Sequence, residues 1–231
     1  MKRRPSPADE DVWAADDDAI DARDVYVGID LGTSNSAIAV WQTGSSRVKV
    51  IRARDADESR TVPSVARFPH DGAPPLAGHA AARAADDGAS TRVRCAKRVI
   101  GRRFDDATVG RLLDSLPFEC VRGADGASAA VRLGGRGEHA SCSPVDCAAA
   151  VLRELRLQAE AYVAGLPRSR AQARAEKYGP GARAPRVARC VVGVPAHFND
   201  AQRAATRAAA ALAGFDGRAV TLTESSAAAM A

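Results

Sequence analysis

Residues 25–36 read V-Y-V-G-I-D-L-G-T-S-N-S, and this stretch is the most informative part of the sequence. An apolar strand leads into Asp30 and then into a tight turn. The turn carries one glycine and three residues with hydroxyl or amide side chains: Gly32, Thr33, Ser34 and Asn35. A glycine lets the backbone approach a phosphate closely, and the hydroxyl groups and turn amides can donate hydrogen bonds to its oxygens. Asp30 is placed to hold a hydrated Mg²⁺ beside those oxygens. On residue types alone, an ordinary hairpin with an aspartate at its rim is an equally good interpretation.

The composition indicates a globular chain with a small-residue core. Hydrophobic residues make up 46% of the sequence but aromatic residues only 4%, so Ala, Val, Leu and Ile must build the core. No stretch has the length or apolar character of a transmembrane span or a secretory signal, so we expect no membrane association. The five cysteines include no C-x-x-C pair, which favours reduced thiols and a cytoplasmic location, with the nucleus as the alternative. The spacing of His139, Cys142 and Cys147 matches no common zinc pattern.

The charge is unevenly distributed along the chain. Residues 166–189 contain seven basic residues and one acidic residue. The net charge of this segment, 7 − 1 = +6, exceeds the net charge of +5 of the whole chain. This segment has few aromatic residues and contains Gly179, Pro180 and Gly181, so a solvated loop insertion at about 166–185 is favoured over a nucleic-acid interface. Residues 1–24 are rich in aspartate and poor in apolar residues, and we expect them to form a disordered acidic tail.

Apolar runs with short turns between them predict an antiparallel meander of three strands at 25–31, 37–41 and 48–52. The first strand is nearly continuous in apolar character, and we expect it to be the most buried. A fourth extended segment covers 61–68 and is broken at Pro63. Residues 69–77 are interpreted as turn-rich, and the sequence from there to the helix that begins after Ser143 is interpreted as irregular.

Helix signals occur at two places in the second half of the chain. Ser143 is a suitable N-cap before Pro144, and Gly165 supplies a stop. Asn199, with Gln202 three residues later, forms the pattern of a capping box before an alanine-rich helix that runs to residue 214. Strands are predicted at 187–194 and 218–223, and a further helix begins after the second. Strands that alternate with helices continue a sheet in parallel, so the residues predict an α/β fold with a mixed sheet flanked by helices.

Four ordered segments resemble the ATPase domain of the 70-kDa heat-shock chaperones, a family within the actin-like (ribonuclease H-like) and sugar-kinase-like ATPases. The segments are G-I-D-L-G-T-S-N-S at 28–36, A-K-R-V-I-G-R-R-F-D-D at 96–106, V-G-V-P-A-H-F-N-D-A-Q-R-A-A-T at 192–206 and T-E-S-S-A-A-A-M-A at 223–231. Each motif is weak alone, but their order and spacing together cover nearly all of 25–231. The resemblance implies that 25–231 is the first lobe of a chaperone-type ATPase domain, an incomplete one.

The resemblance also implies a nucleotide site for ATP or ADP with Mg²⁺. Asp30 matches the family's acid near the metal, and the turn that follows it (Gly32, Thr33, Ser34 and Asn35) matches the first phosphate loop. Lys97 matches the lysine that reaches the γ-phosphate and the attacking water, where an ammonium group offsets charge that develops in phosphoryl transfer. Without the resemblance, Lys97 is better interpreted as a surface lysine in a basic run. Glu224 matches the carboxylate near the metal and the nucleophilic water.

Two further positions match residues that relay the nucleotide state to a peptide-binding domain in this family: Pro195 and Arg203. Judged without the family, they are a strand terminator and a solvated helix residue. His197 replaces the family's tyrosine, and Thr223 and Ser225 replace the asparagine and proline beside the glutamate. We expect the loss of that proline to loosen the turn that aims Glu224.

The resemblance implies an ATP-binding chaperone, with co-chaperones or nucleotide-exchange factors as partners and unfolded clients only if a peptide-binding domain exists elsewhere. The second phosphate loop, the adenosine-binding segment and the peptide-binding domain have no counterpart in these residues. We therefore expect weak or absent nucleotide binding and no independent ATP hydrolysis. Two alternatives remain: a non-enzymatic docking module, and a truncated fragment of a longer chaperone.

Overall fold

The computed structural model describes residues 24–42, 47–53, 59–135, 137–164, 186–215 and 219–230. The acidic tail (except Asp24), the basic insertion and the stop at Gly165 lie outside the described residues. The main sheet contains β1 (Asp24–Asp30), β2 (Asn35–Gln42), β3 (Arg47–Val50), β4 (Val62–Pro63), β11 (Arg186–Val194) and β12 (Val220–Thr223). Its strand order is β12-β11-β1-β2-β3, and β4 pairs with β2 beside this path.

The sheet is mixed, as the sequence predicted. β1 pairs antiparallel with β2, and β2 pairs antiparallel with β3, which confirms the meander. β11 pairs parallel with both β1 and β12. A helix precedes β11 and another precedes β12, and each returns the chain to the same end of the sheet, so the strands run in parallel.

β1 occupies the centre of the sheet, but only one of its faces is buried. Val27, Ile29 and Leu31 are buried and point to one side. Gly28 and Asp30 alternate with them and are exposed. β1 was expected to be the most buried strand. It does lie at the centre of the sheet, but the face that carries Gly28 and Asp30 is exposed.

Two helices cover the buried face of the sheet, α3 (Pro144–Ala164) and α4 (Asp200–Leu212). Ser143 caps α3: its Oγ accepts from the amide of Asp146 at 3.1 Å, and its own amide donates to the Asp146 carboxylate at 2.9 Å. Asn199 and Gln202 form the predicted capping box of α4. Within the described residues, no helix has the length and apolar character needed to cross a membrane.

The hydrophobic core lies between these helices and the sheet. It includes Leu152 and Leu155 of α3, which are fully buried, together with strand residues such as Ile38 and Val192. Most other helix residues in this core are alanines, so the helices lie close to the sheet and to each other. Few large aromatic side chains are needed to fill such a thin layer.

The opposite face of the sheet is open among the described residues, and we call it the open sheet face. Nothing lies within 4 Å of a Cβ built on Gly28. Across the strands, Gly28 pairs with Ala39, and Ala39 pairs with Val50. Trp41 and Val48 form the next pair on the same face, between β2 and the edge strand β3. Trp41 is 43% exposed and Val48 is 63% exposed. An apolar surface of this kind is typical of a contact surface.

Residues 69–142 are more regular than the sequence predicted. They complete two small antiparallel sheets of three strands, ordered β6-β5-β7 and β10-β9-β8. The strands are β5 (Val65–Pro69), β6 (Leu76–Ala77), β7 (Ser90–Arg94), β8 (Cys120–Arg122), β9 (Ala129–Arg132) and β10 (Ser141–Cys142), and the helices are α1 (Gly78–Arg83) and α2 (Ala107–Leu112). The prediction of irregular structure was wrong because strands of two to five residues are too short to show a period of two.

Candidate functional site

Three strands end side by side at one edge of the main sheet. In the sheet register Asp30 pairs with Gly193, and Val194 pairs with Thr223. The carboxyl ends of β1, β11 and β12 therefore lie at the same edge, which is where sheets of this class bind ligands. Asp30 is the last residue of β1, and Pro195 and Glu224 directly follow β11 and β12, so three residues that are far apart in the sequence lie at this edge.

Ser64 stabilises the turn between β1 and β2 through hydrogen bonds to its backbone. The Ser64 amide donates to the carbonyl of Ser34 at 2.8 Å, and the Ser64 Oγ donates to the carbonyl of Gly32 at 2.8 Å. The Ser36 Oγ also contacts the Ser64 Oγ at 2.8 Å. The side chains of Ser34 and Asn35 remain exposed. Sequence reasoning missed Ser64, because its partners lie about thirty residues earlier and nothing local marks it.

Gly32 is required by the turn itself. A Cβ at this position would overlap the backbone carbonyl of Asn35. From the sequence alone, this glycine is expected to permit the close approach of a phosphate. The structure adds a second reason, since no other residue fits the turn without moving its backbone.

Lys97 and Glu224 form an ion pair across the site. The Lys97 Nζ lies 2.9 Å from a Glu224 carboxylate oxygen, although the two residues are separated by 127 positions. The Lys97 side chain is 11% exposed, so the interpretation of Lys97 as a solvated surface lysine is wrong. Its ammonium group also lies 5.8 Å from the centre of the Phe198 ring, within the range of a cation–π contact.

The turn before Glu224 is closed by Thr223. The Thr223 Oγ1 accepts from the amide of Ser226 at 3.2 Å and donates to the Ser226 Oγ at 2.6 Å. Thr223 is thereby the N-cap of α5 (Glu224–Ala229). The expected loosening of this turn is offset, because the cap hydrogen bonds restrain the residue directly before Glu224.

Phe198 connects the two predicted relay residues with Lys97. The Phe198 amide donates to the carbonyl of Pro195 at 3.1 Å, and the Arg203 Nε donates to the carbonyl of Phe198 at 3.1 Å. Phe198 is buried, with one side of its ring toward Lys97. The sequence contained Phe198 within a quoted motif, but its apolar type indicated only a core position. The relay roles of Pro195 and Arg203 stay predictions.

The short 3-10 turn that carries Lys97 (Ala96–Arg98) is held close to the start of α4. Gly101 has a φ of +65°, and a Cβ there would lie 2.6 Å from the Gln202 Cα and 2.7 Å from the Ala201 carbonyl oxygen. Backbone therefore approaches backbone at Gly101. This contact fixes the position of Lys97 relative to α4, and sequence reasoning missed it.

The oxygen donors at the site suit a magnesium ion that arrives with a phosphate. Asp30 and Glu224 flank Gly193: a Cβ on Gly193 would lie 3.5 Å from the Glu224 Cγ and 4.0 Å from the Asp30 Cα. Within the described residues, no group of three or more His, Cys, Asp or Glu side chains converges to hold an ion alone. Magnesium is usually held by one or two carboxylates with phosphate oxygens and water, so two acids are sufficient.

A mixed sheet flanked by helices, with a phosphate-type turn, a lysine and an acid at its strand ends, is consistent with the actin-like ATPase fold. The chain belongs to the Hsp70 family: the family model described as "Hsp70 protein" matches residues 26–231. The family predicted from the four sequence segments is therefore confirmed.

Named relatives support the same family. The chain is 36% identical over 193 residues to "Heat shock protein SSC3, mitochondrial" of Saccharomyces cerevisiae. The matched region covers 84% of this chain and 25% of that protein. The chain is 35% identical over 195 residues to "Chaperone protein DnaK" of Anaplasma marginale, with coverages of 84% and 25%. It is 33% identical over 205 residues to "Chaperone protein DnaK" of Psychrobacter cryohalolentis, with coverages of 89% and 27%. The chain thus spans about a quarter of the length of these relatives.

Proposed function

We propose that this chain supplies one wall of an ATP or ADP site of the chaperone type and binds the Mg²⁺-nucleotide through its phosphates. The observation that carries this proposal is the ion pair between Lys97 and Glu224, with its nitrogen–oxygen distance of 2.9 Å. It brings two predicted site residues from distant parts of the chain to the same edge of the sheet as Asp30.

Each residue has a distinct role in the proposal. The turn amides and hydroxyl groups of Thr33 and Ser34 donate to phosphate oxygens, in a turn whose backbone carbonyls are hydrogen-bonded by Ser64. Asp30 holds the hydrated magnesium ion. Lys97 leaves Glu224 and pairs with the terminal phosphate, and Glu224 then accepts a hydrogen bond from the attacking water.

The exposure of the site limits what this wall does alone. Glu224 is 46% exposed, and Asp30, Ser34 and Asn35 are also exposed. Among the described residues, nothing closes over these side chains. Phosphoryl transfer gains most from charges that act where water is excluded. We therefore propose that the chain binds nucleotide weakly and that turnover requires a second wall.

Titration calorimetry of the full chain with Mg-ADP tests the proposal. We expect a measurable binding heat with the unaltered chain. Lys97→Ala should weaken the affinity for Mg-ADP by about 10- to 100-fold, since a hydrogen bond to a charged group contributes about 1.5–3 kcal/mol. Lys49→Ala is the matched control, because Lys49 is an exposed lysine on β3 and its loss should leave the affinity unchanged. The absence of any heat with the unaltered chain would overturn nucleotide binding. Hydrolysis by the unaltered chain well above that of Lys97→Ala would overturn the need for a second wall.

A docking module is the second candidate, and the open sheet face favours it. This face would contact a full-length chaperone of the same family or its nucleotide-exchange factor, since the matched relatives are about three times as long as this chain. We expect a pull-down with purified full-length chaperone to lose most of its signal on Trp41→Ser. Leu157→Ser is the control, because Leu157 has similar exposure and lies on α3, behind the sheet. Equal retention of the two variants would count against this face.

Co-chaperones as partners, and unfolded clients bound through a peptide-binding domain elsewhere, are part of the same proposal. So is a cytoplasmic location, with the nucleus as the alternative. One relative carries the word "mitochondrial" in its name, so imaging of a fluorescent fusion decides among three compartments.

A further inference from the structure

Two buried thiols touch each other beneath the candidate site. Cys142 ends β10, and Cys147 lies in the first turn of α3. Their sulfur atoms are 3.6 Å apart, and both residues are buried. The proposed nucleotide site uses neither thiol.

The two sulfurs of the pair lie in contact with each other. A disulfide joins its sulfurs at about 2.05 Å, so the two atoms must approach by only about 1.5 Å. The residues between them include the N-cap Ser143, which is outside both the strand and the helix. We expect rotation of the two side chains, with a shift of this cap, to close the gap.

The Cys147 thiol resists ionisation. Its pKa is raised well above the usual value, first by the hydrogen bond with Cys142 and second by burial. One of the two thiols therefore donates a hydrogen bond to the sulfur of the other in the reduced pair.

A narrow crevice connects Cys147 with the phosphate turn. The residues that line it include Cys147, Gly32, Thr33 and Lys97, and its volume is about 20 Å³. A space of this size holds about one water molecule. We expect a small hydroperoxide to approach Cys147, and the Cys142 sulfur 3.6 Å from it, from the surface beside Thr33 and Lys97.

We propose that Cys142 and Cys147 form a peroxide-sensitive dithiol beneath the phosphate turn. The thiolate of one cysteine attacks one oxygen of the hydroperoxide, the O–O bond breaks, and a sulfenic acid forms while the other oxygen leaves as water or an alcohol after protonation. The sulfur of the second cysteine then attacks the sulfenic sulfur, the S–O bond breaks, and water leaves with the proton of that second thiol. Two thiols are oxidised to one disulfide, and one hydroperoxide is reduced.

The disulfide would change the packing under Lys97. Ala96, the neighbour of Lys97, lies in one small cluster with both cysteines and with Val93 and Val131. Protein interiors are close-packed, so the approach of the two sulfurs by about 1.5 Å in total moves their neighbours. The oxidation state of the pair is thereby coupled to the position of the lysine.

Peptide mapping of the full chain after treatment with hydrogen peroxide tests the dithiol. Cleavage after Arg136 and Arg153 releases residues 137–153, which contain Cys142 and Cys147 and no other cysteine. After alkylation under unfolding conditions, we expect this peptide to be two hydrogens lighter than the reduced form and to carry no alkyl group. A reductant applied before alkylation should restore two alkyl groups. The half-buried Cys95 and Cys120 report that the oxidant was effective.

Two variants and one opposing result complete the experiment. Cys142→Ser should abolish the mass loss, whereas Cys120→Ser should leave it unchanged, because Cys120 lies two strands away on β8. If Cys142→Ser does not fold, the map of the unaltered chain still decides. Two alkyl groups on peptide 137–153 while Cys95 or Cys120 is oxidised would overturn the proposal, as would separate oxidation of the two thiols without a bond between them.

A second measurement tests the route of the oxidant, and this part rests on the proposed nucleotide site. We expect saturating Mg-ADP to slow disulfide formation, because a phosphate on the turn would cover the crevice. Binding heat with an unchanged oxidation rate would exclude the crevice as the route. Absence of binding heat would overturn the nucleotide proposal and leave the dithiol standing on its peptide map.

Discussion

Gly101→Ala is expected to lower the free energy of unfolding by about 3 kcal/mol, which is a large share of the stability of a typical domain. Two costs combine in this substitution. The φ of +65° is a left-handed conformation that costs a residue with a Cβ about 1–2 kcal/mol. The new Cβ would also lie 2.6 Å from the Gln202 Cα and 2.7 Å from the Ala201 carbonyl oxygen. These are backbone atoms in the first turn of α4, and overpacking against them adds about 1–3 kcal/mol.

Two other glycines separate these costs. Gly88 has a φ of +68° and open space around its Cβ position, so Gly88→Ala should lose only the conformational cost of about 1 kcal/mol. Gly110 lies in α2 with open space and no positive φ, so Gly110→Ala should be stabilising by about 0.5–1 kcal/mol. Urea unfolding followed by circular dichroism gives all three values. A cost for Gly101→Ala no larger than that for Gly88→Ala would contradict the close contact.

Gly101→Ala also has a functional consequence. Gly101 follows the turn that carries Lys97, and its contact with α4 sets the distance from that turn to Phe198 and Glu224. If the turn moves away from α4, the ion pair between Lys97 and Glu224 opens. We therefore expect Gly101→Ala to weaken Mg-ADP binding even under conditions in which the variant is fully folded, whereas Gly88→Ala should not.

Leu152→Ala is expected to lower the free energy of unfolding by about 3–4 kcal/mol. Leu152 is fully buried in the core between α3 and the main sheet. Removal of its side chain forfeits the burial of the lost atoms and leaves a cavity, which together cost about 2.7–5 kcal/mol at comparable sites. The alanine-rich surroundings offer few long side chains that could move into the space.

Leu157→Ala is the matched control for this substitution. Leu157 lies on the same helix with the same side chain, but it is 40% exposed. We expect its replacement to cost less than about 1 kcal/mol, since helix propensity changes little and no cavity forms. Urea unfolding of the two variants is the measurement. Equal costs would show that α3 does not pack on the sheet through Leu152.

Contacts between neighbours in the sequence could be predicted before the structure was known. The capping box of Asn199 and Gln202 and the cap at Ser143 join residues three positions apart, so the residue types alone indicate the geometry. The meander and the parallel continuation followed from apolar runs and from the helices between them. The two small sheets could not be predicted, because strands of two to five residues contain no full pattern and gain their stability from pairing.

The site shows the same division between near and distant residues. The turn after Asp30 was recognised from its own residues, but its support by Ser64 was not. The ion pair joins Lys97 to a residue 127 positions later, and no local pattern specifies such a contact. The family resemblance predicted that Lys97 and Glu224 share a site, while the residue types alone favoured a solvated lysine.

The amino-acid sequence was sufficient for the family, the mixed sheet and the position of the phosphate turn, because each depends on the order of residues along the chain. The tertiary structure was needed for the partner of Lys97, the support of the turn by Ser64, the close approach at Gly101 and the contact between Cys142 and Cys147. Three of these four join segments that only the folded sheet brings together. The fourth depends on the directions of two side chains at the junction of a strand and a helix, which spacing alone does not specify.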